Sequence, residues 1–208
     1  DEKSVISLQS AMRATGVAVP HFDAIKDGWT LVLDVARFGG DETVLGWGRG
    51  GHMIDMKAWP KTSTEQCVDI LKDAHDHITR QGMYVERIVV DEPGVGGGVV
   101  DSARRSNLSI TPYNGGGALT EDRDPPDEIR MFANRRSRDW WVLRRKLELG
   151  LVSIPEDETL VLQLASVWYD YNEREKIQVE SKKKMRERLG DHASPDRADA
   201  LVMLQAPW

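Results

Sequence analysis

The stretch Thr30–Ala36, Thr-Leu-Val-Leu-Asp-Val-Ala, restricts the fold more than any other part of the 208-residue chain. It is short, nearly all apolar and lacks strict alternation, as expected of a β-strand covered on both faces. A carboxylate, Asp34, stands inside this run where an apolar side chain is expected. Burying a lone carboxylate is costly unless it meets a cation or several hydrogen-bond donors. Fold and chemistry therefore begin at the same place.

The neighbouring runs extend the sheet. Residues 43–49 and 52–59 follow the first strand after short glycine-rich links, Gly39-Gly40 and Gly48 to Gly51, so three strands form an antiparallel meander. Residues 62–81 read as an amphipathic helix capped by Ser63 or Thr64, with Val68, Ile70, Leu71, Ala74 and Ile78 as its buried stripe. Residues 85–92 read as a fourth strand, 96–105 as a helix and 108–114 as a fifth strand. A helix between two strands implies a parallel pair joined by a right-handed crossover. Residues 115–127 read as a mobile loop. The rest is expected to hold helices at about 127–149 and 159–172, a hairpin near 173–181 and a final helix within 193–206, with its Ser-Pro start. The sum is an α/β fold: a mixed five-stranded sheet, three strands antiparallel and two parallel, flanked by helices, on the RNase H-like plan. Residues 1–27 show a short helix and a connector but no strand pattern, which leaves them as the tail of something upstream. The folded domain is expected over 28–208.

Asp91 repeats the anomaly of Asp34 at the end of the fourth strand. If the first and fourth strands are neighbours, the two carboxylates lie side by side, and like charges that close call for a divalent cation. Asp196 and Asp199 share one face near the start of the last helix, flanked by the small residues Ala198 and Ala200. Each acid alone reads more simply as a strand-end or helix-start residue; together they point to a metal site. All-oxygen donors suit Mg²⁺ or Mn²⁺, and two such ions can activate water and stabilise the leaving oxygen of a phosphodiester. Asp41, in a turn, is a further ligand or supporting residue. His75 and His77, two apart on a helix, point in different directions, and Trp140 and Trp141 read as packing residues.

The net charge of −6 argues against a polyanionic partner, but its distribution does not. Arg130–Lys146 holds seven basic residues against Asp139, and Arg174–Arg188 holds seven against three glutamates. A chain so polarised can hold nucleic acid on one face. The single cysteine, Cys67, excludes an internal disulfide framework and a cysteine-based zinc cluster, and fits a reducing compartment. No apolar run reaches the roughly 18 residues a membrane helix needs.

The ordered set of residues 31–44, 88–101, 138–150, 177–190 and 194–203 resembles the nuclease domain of phage large terminase subunits, over roughly residues 29–206. The resemblance implies an RNase H-like endonuclease that cuts double-stranded viral DNA during head packaging in the host cytoplasm. It carries catalytic roles onto Asp34, Asp91 and Asp199, with Asp196 and Asp41 near the metals. It places Lys182, Lys183, Lys184 and Arg186 near DNA. It also implies an ATPase motor domain of the same subunit, a portal and a small terminase as partners. No phosphate-loop motif for nucleotide hydrolysis occurs in the chain. Two other readings stay open, a junction resolvase of the same superfamily and a non-catalytic module that docks a portal.

Overall fold

The computed structural model describes residues 3–23, 27–36 and 41–208. The Gly39-Gly40 link lies outside the described residues. The chain enters through helix α1 (Leu8–Thr15), capped by Ser7, and then forms β1 (Trp29–Asp34), β2 (Glu42–Arg49) and β3 (His52–Pro60). Helix α2 (Thr64–Arg80) follows, its cap fixed by reciprocal bonds between Ser63 and Gln66, and leads to β4 (Val85–Asp91), α3 (Val95–Arg105) and β5 (Ile110–Tyr113). The sheet order is β3-β2-β1-β4-β5, antiparallel across β3, β2 and β1 and parallel across β1, β4 and β5. This is the mixed sheet expected, with β1 at its centre.

The central position of β1 explains its apolar run. Leu31 and Leu33 point to one side, packing with Leu71 of α2 and Val99 of α3, while Val32 points to the other. All three are fully buried. Each such side chain contributes about 1.5–3 kcal/mol, enough in sum to offset a buried carboxylate at the strand's end. The turn from β4 into α3 requires glycine at position 96, because a Cβ there would lie 1.6 Å from the carbonyl oxygen of Asp91.

The second half departs from expectation in three places. The single helix expected near 127–149 is two, α4 (Pro126–Met131) and α5 (Arg135–Glu148). Phe132 leaves the helical path to bury its ring and bridge to Ile177, and Asn134 caps the new helix through the backbone N–H of Ser137. The helix expected to reach 172 stops early, as α6 (Glu158–Ser166). Residues 169–171 instead form β6 (Tyr169–Tyr171), paired with β7 (Ile177–Val179) in a hairpin. Residues 115–127 are pinned rather than loose. The carbonyls of Gly115 and Gly117 accept bonds from Arg136 and Arg135, and the buried Asp124 pairs with Arg138. The chain ends in α7 (Lys182–Leu189) and α8 (Asp196–Gln205), and α8 crosses β1 and β2.

The amino-terminal segment is docked on this core. Val5 and Ile6 are buried, and the N–H of Val5 bonds the carbonyl of Val167 at 2.9 Å. Residues 4–15 thus pack against the core of the sheet domain. Among the described residues, no helix is long and apolar enough to cross a membrane.

Candidate active site

Strand register brings the first two acids together. In the parallel β1–β4 pair Leu33 lies opposite Val90, and the next residue of each strand is Asp34 and Asp91. Both therefore sit at the carboxyl ends of the two central strands. Helix α8 approaches the same edge with Asp196 as its first residue and Asp199 one turn on, both buried. Acids in a first helical turn are also favoured by the helix dipole. Asp34, Asp91 and Asp199 line one cavity of about 160 Å³, together with Tyr113, Arg136 and Lys182.

Lys182, the first residue of α7, stands among these acids. Its Nζ lies 2.8 Å from Asp196 Oδ1, 3.3 Å from Asp34 Oδ2 and 3.7 Å from Asp199 Oδ2. Asp199 also accepts bonds from Arg136 and, at 3.2 Å, from the indole N–H of Trp140. Asp196 accepts from the hydroxyl of Ser194 and, at 2.9 Å, from the backbone N–H of Glu42. Asp196 is thus tied to the backbone next to Asp41, whereas Asp34, among the described residues, has the lysine.

Electrostatics follow from these positions. Burial drives the carboxyl of Asp34 up to about 8; Lys182 opposes this, and Asp199, Asp91 and Asp196 reinforce it. Burial alone lowers a lysine's pKa, yet Asp34, Asp199 and Asp196 hold Lys182 above the ordinary value, so it stays charged. Asp34, Asp196 and Asp199 all lie within 3.7 Å of Lys182, and Asp199 also pairs with Arg136. The donors are all oxygen, the chemistry that hard cations select. They surround the lysine rather than converge on a point: among the described residues, no three Asp, Glu, His or Cys side chains are close enough to ligate one ion as placed.

The remaining expected residues are placed as follows. Asp41 pairs with Arg186, outside the cavity. Lys182 and Arg186, expected to face DNA, are both engaged with carboxylates. Lys183 is solvent-exposed, with Glu187 at 3.9 Å, and Lys184 is exposed on the same helix. Trp140 is fully buried, as expected of a packing residue, but it also bonds Asp199.

Sequence reasoning missed a second layer. Asp139, fully buried on α5, accepts from the hydroxyl of Tyr113 at 2.9 Å and from Arg138 Nε at 2.7 Å, and Arg138 also grips Asp124. Burial, with Asp139 beside it, raises the phenol of Tyr113 well above its usual value, so it donates rather than ionises. This network fixes the 115–124 loop, whose Gly115 and Gly116 line the cavity. The run Arg-Arg-Ser-Arg-Asp at 135–139 is its only sequence signal, and it reads as surface charge.

No protein-family model and no curated protein sequence matches the chain. Solved structures do. The nuclease domain of the large terminase subunit gp2 of bacterial virus Sf6 superposes with a TM-score of 0.79 at 18% identity, covering 97% of this chain and 98% of that one. A mutant of the same domain with manganese gives 0.76 at 18% identity over the same shares. The large terminase nuclease of thermophilic phage G20c with bound magnesium gives 0.65 at 13% identity, covering 99% of this chain and 97% of the other. The chain has the RNase H-like fold of large terminase nuclease domains, and the likeness runs through nearly its whole length, α1 included.

Proposed function

We infer that the chain is a divalent-metal-dependent endonuclease that cuts double-stranded viral DNA during genome packaging. The observation that carries this is the opening of three acids from separate elements, Asp34, Asp91 and Asp199, onto one cavity at the carboxyl edge of the sheet. The fold shared with terminase nuclease domains, and the manganese and magnesium in the names of two of those structures, agree with it.

Asp34, Asp91 and Asp199 are the proposed ligands for Mg²⁺ or Mn²⁺, taken as two ions, with Asp196 and Asp41 nearby. Bound there, the cations supply charge for the phosphodiester oxygens and lower the pKa of water. The chain's own residues do the rest. Arg136 and Trp140 hold Asp199 in one rotamer, and the Glu42 N–H holds Asp196. Lys182 keeps the carboxylates together until the substrate and cations compete for them. Lys183 and Lys184 remain available for DNA phosphate. The proposed partners are the ATPase motor domain of the same subunit, the portal and the small terminase, in the host cytoplasm.

Plasmid DNA incubated with the purified chain and Mn²⁺, Mg²⁺ or EDTA tests the reading. Cleavage is expected with either metal, none with EDTA, and none with Asp34→Asn. A wild-type chain inert with every divalent cation, or a fully active Asp34→Asn variant, sinks it.

A further inference from the structure

A second and larger hollow, about 720 Å³, lies between the β6–β7 hairpin and the amino-terminal turn of α5. It meets the carboxylate cavity at one residue, Arg136, whose side chain lines both. Arg136 reaches Asp199 through Nη1, while its buried Nε has no hydrogen-bond partner among the described residues. Asn134 and Ser181, the caps of α5 and α7, also border the hollow, so two helix amino termini face it.

The walls combine aromatic rings and bases. Tyr171 is 61% exposed, yet it is not loose: Tyr169 meets it at 6.2 Å, and Tyr169 in turn stands edge-on to Trp141 at 5.1 Å. An exposed ring held by a chain of others is a platform. The hairpin supplies Arg174, exposed, and α7 supplies Lys184. The acids in the same wall are partly spoken for: Glu180 is paired with Arg188, and Asp170 lies 3.8 Å from Lys3. Glu173 also lines the wall.

We propose that this hollow takes a few nucleotides of an unpaired strand, stacks a base on Tyr171, and leads the strand past Arg136 to the carboxylates. Its volume is that of a small-ligand cleft, roughly 300–1,000 Å³, enough for part of one strand. Stacking on an open tyrosine is likewise useful only to a base free of its partner, and every base offers a π-face, so sequence is not read. The proposal rests on the nuclease reading for what happens at the far end, but the binding itself does not depend on cleavage.

The test is fluorescence anisotropy in EDTA with a labelled 20-nucleotide oligo-dT and a labelled 20-base-pair duplex. Tyr171→Ala is expected to weaken oligo-dT binding by about 5- to 100-fold, the loss of one stacked base, and duplex binding by less than about twofold. Tyr171→Phe, which keeps the ring, should bind oligo-dT like the wild type. The proposal is overturned if the wild type does not bind oligo-dT, if Tyr171→Ala binds it unchanged, or if Tyr171→Phe is as weak as Tyr171→Ala. The two readings separate cleanly. Metal-dependent plasmid cleavage without this tyrosine dependence removes the groove alone, whereas tyrosine-dependent oligo-dT binding without cleavage supports the groove and removes the nuclease.

Discussion

Two buried ionic groups draw residues from α5, and they are built differently. Around Arg138, both carboxylates are well supplied with donors: Asp139 has Tyr113 and Arg138, and Asp124 has Arg138 and the backbone N–H of Thr120 at 2.8 Å. Around Lys182, three carboxylates share one ammonium, and among the described residues Asp34 receives a single 3.3 Å bond from it. The first arrangement is a finished structural network. The second gathers its carboxylates at the edge of a cavity of about 160 Å³, and buried titratable groups clustered at a cavity mark a candidate site.

The largest effect that can break this contrast is on activity. Asp34→Asn keeps the shape of the side chain and removes ligand charge, so cleavage should fall by about 10³-fold or more while the fold survives. If Asp139→Asn also abolishes cleavage and leaves the fold intact, the two networks are not distinct.

Stability should order them the opposite way. Arg138→Ala leaves Asp124 and Asp139 buried without their base, a loss of about 3–5 kcal/mol, read as a sharp drop in Tm. Asp34→Asn should instead stabilise the metal-free protein, because a buried acid raised to about 8 carries a penalty in its charged form. The folded state holds that proton more tightly than the unfolded chain, whose carboxyl titrates near 3.8. Wild-type stability from this group is therefore complete below about pH 4 and lost as the pH climbs through 8. The advantage of the variant should grow over that window, to about 1–3 kcal/mol. Denaturant melts at pH 5 and pH 9 measure it, and an equal difference at both removes the assignment.

Within the site, Asp199→Asn is expected to damage cleavage more than Asp196→Asn. Asp199 lines the cavity and Asp196 is turned toward Ser194 and Glu42. A dead Asp196→Asn beside a normal Asp199→Asn reverses their roles.

The smallest effect concerns duplex DNA. Since Lys182 is committed to the acids, only Lys183 and Lys184 of the α7 lysines remain for phosphate. The double Lys183→Ala/Lys184→Ala variant should flatten the log–log salt dependence of duplex binding by about one to two units, roughly 0.9 for each phosphate no longer neutralised. An unchanged slope moves the duplex path to another face.

Much is legible from the chain alone. Asp34 and Asp91 stand out because a carboxylate breaks an apolar strand, and that cost is local and independent of the rest of the fold. The meander and crossover follow from link lengths, and Ser63 from capping chemistry. The break at Phe132 and the strand at Tyr169 are not legible, because both depend on a partner distant in sequence, Ile177 and Val179. Local propensity cannot see such partners.

The division falls between residue identity and residue company. Sequence determined which side chains are anomalous: the acids in strands, the acids at the head of α8, and the basic runs of α5 and α7. Only tertiary structure decided which charges meet. It placed Lys182 among the carboxylates instead of on DNA, gave Arg186 to Asp41, and buried Arg138 beside Asp139. A charge in a sequence has a sign but no dielectric and no neighbour. Folding supplies both, and the strength of an ionic interaction depends chiefly on those two quantities.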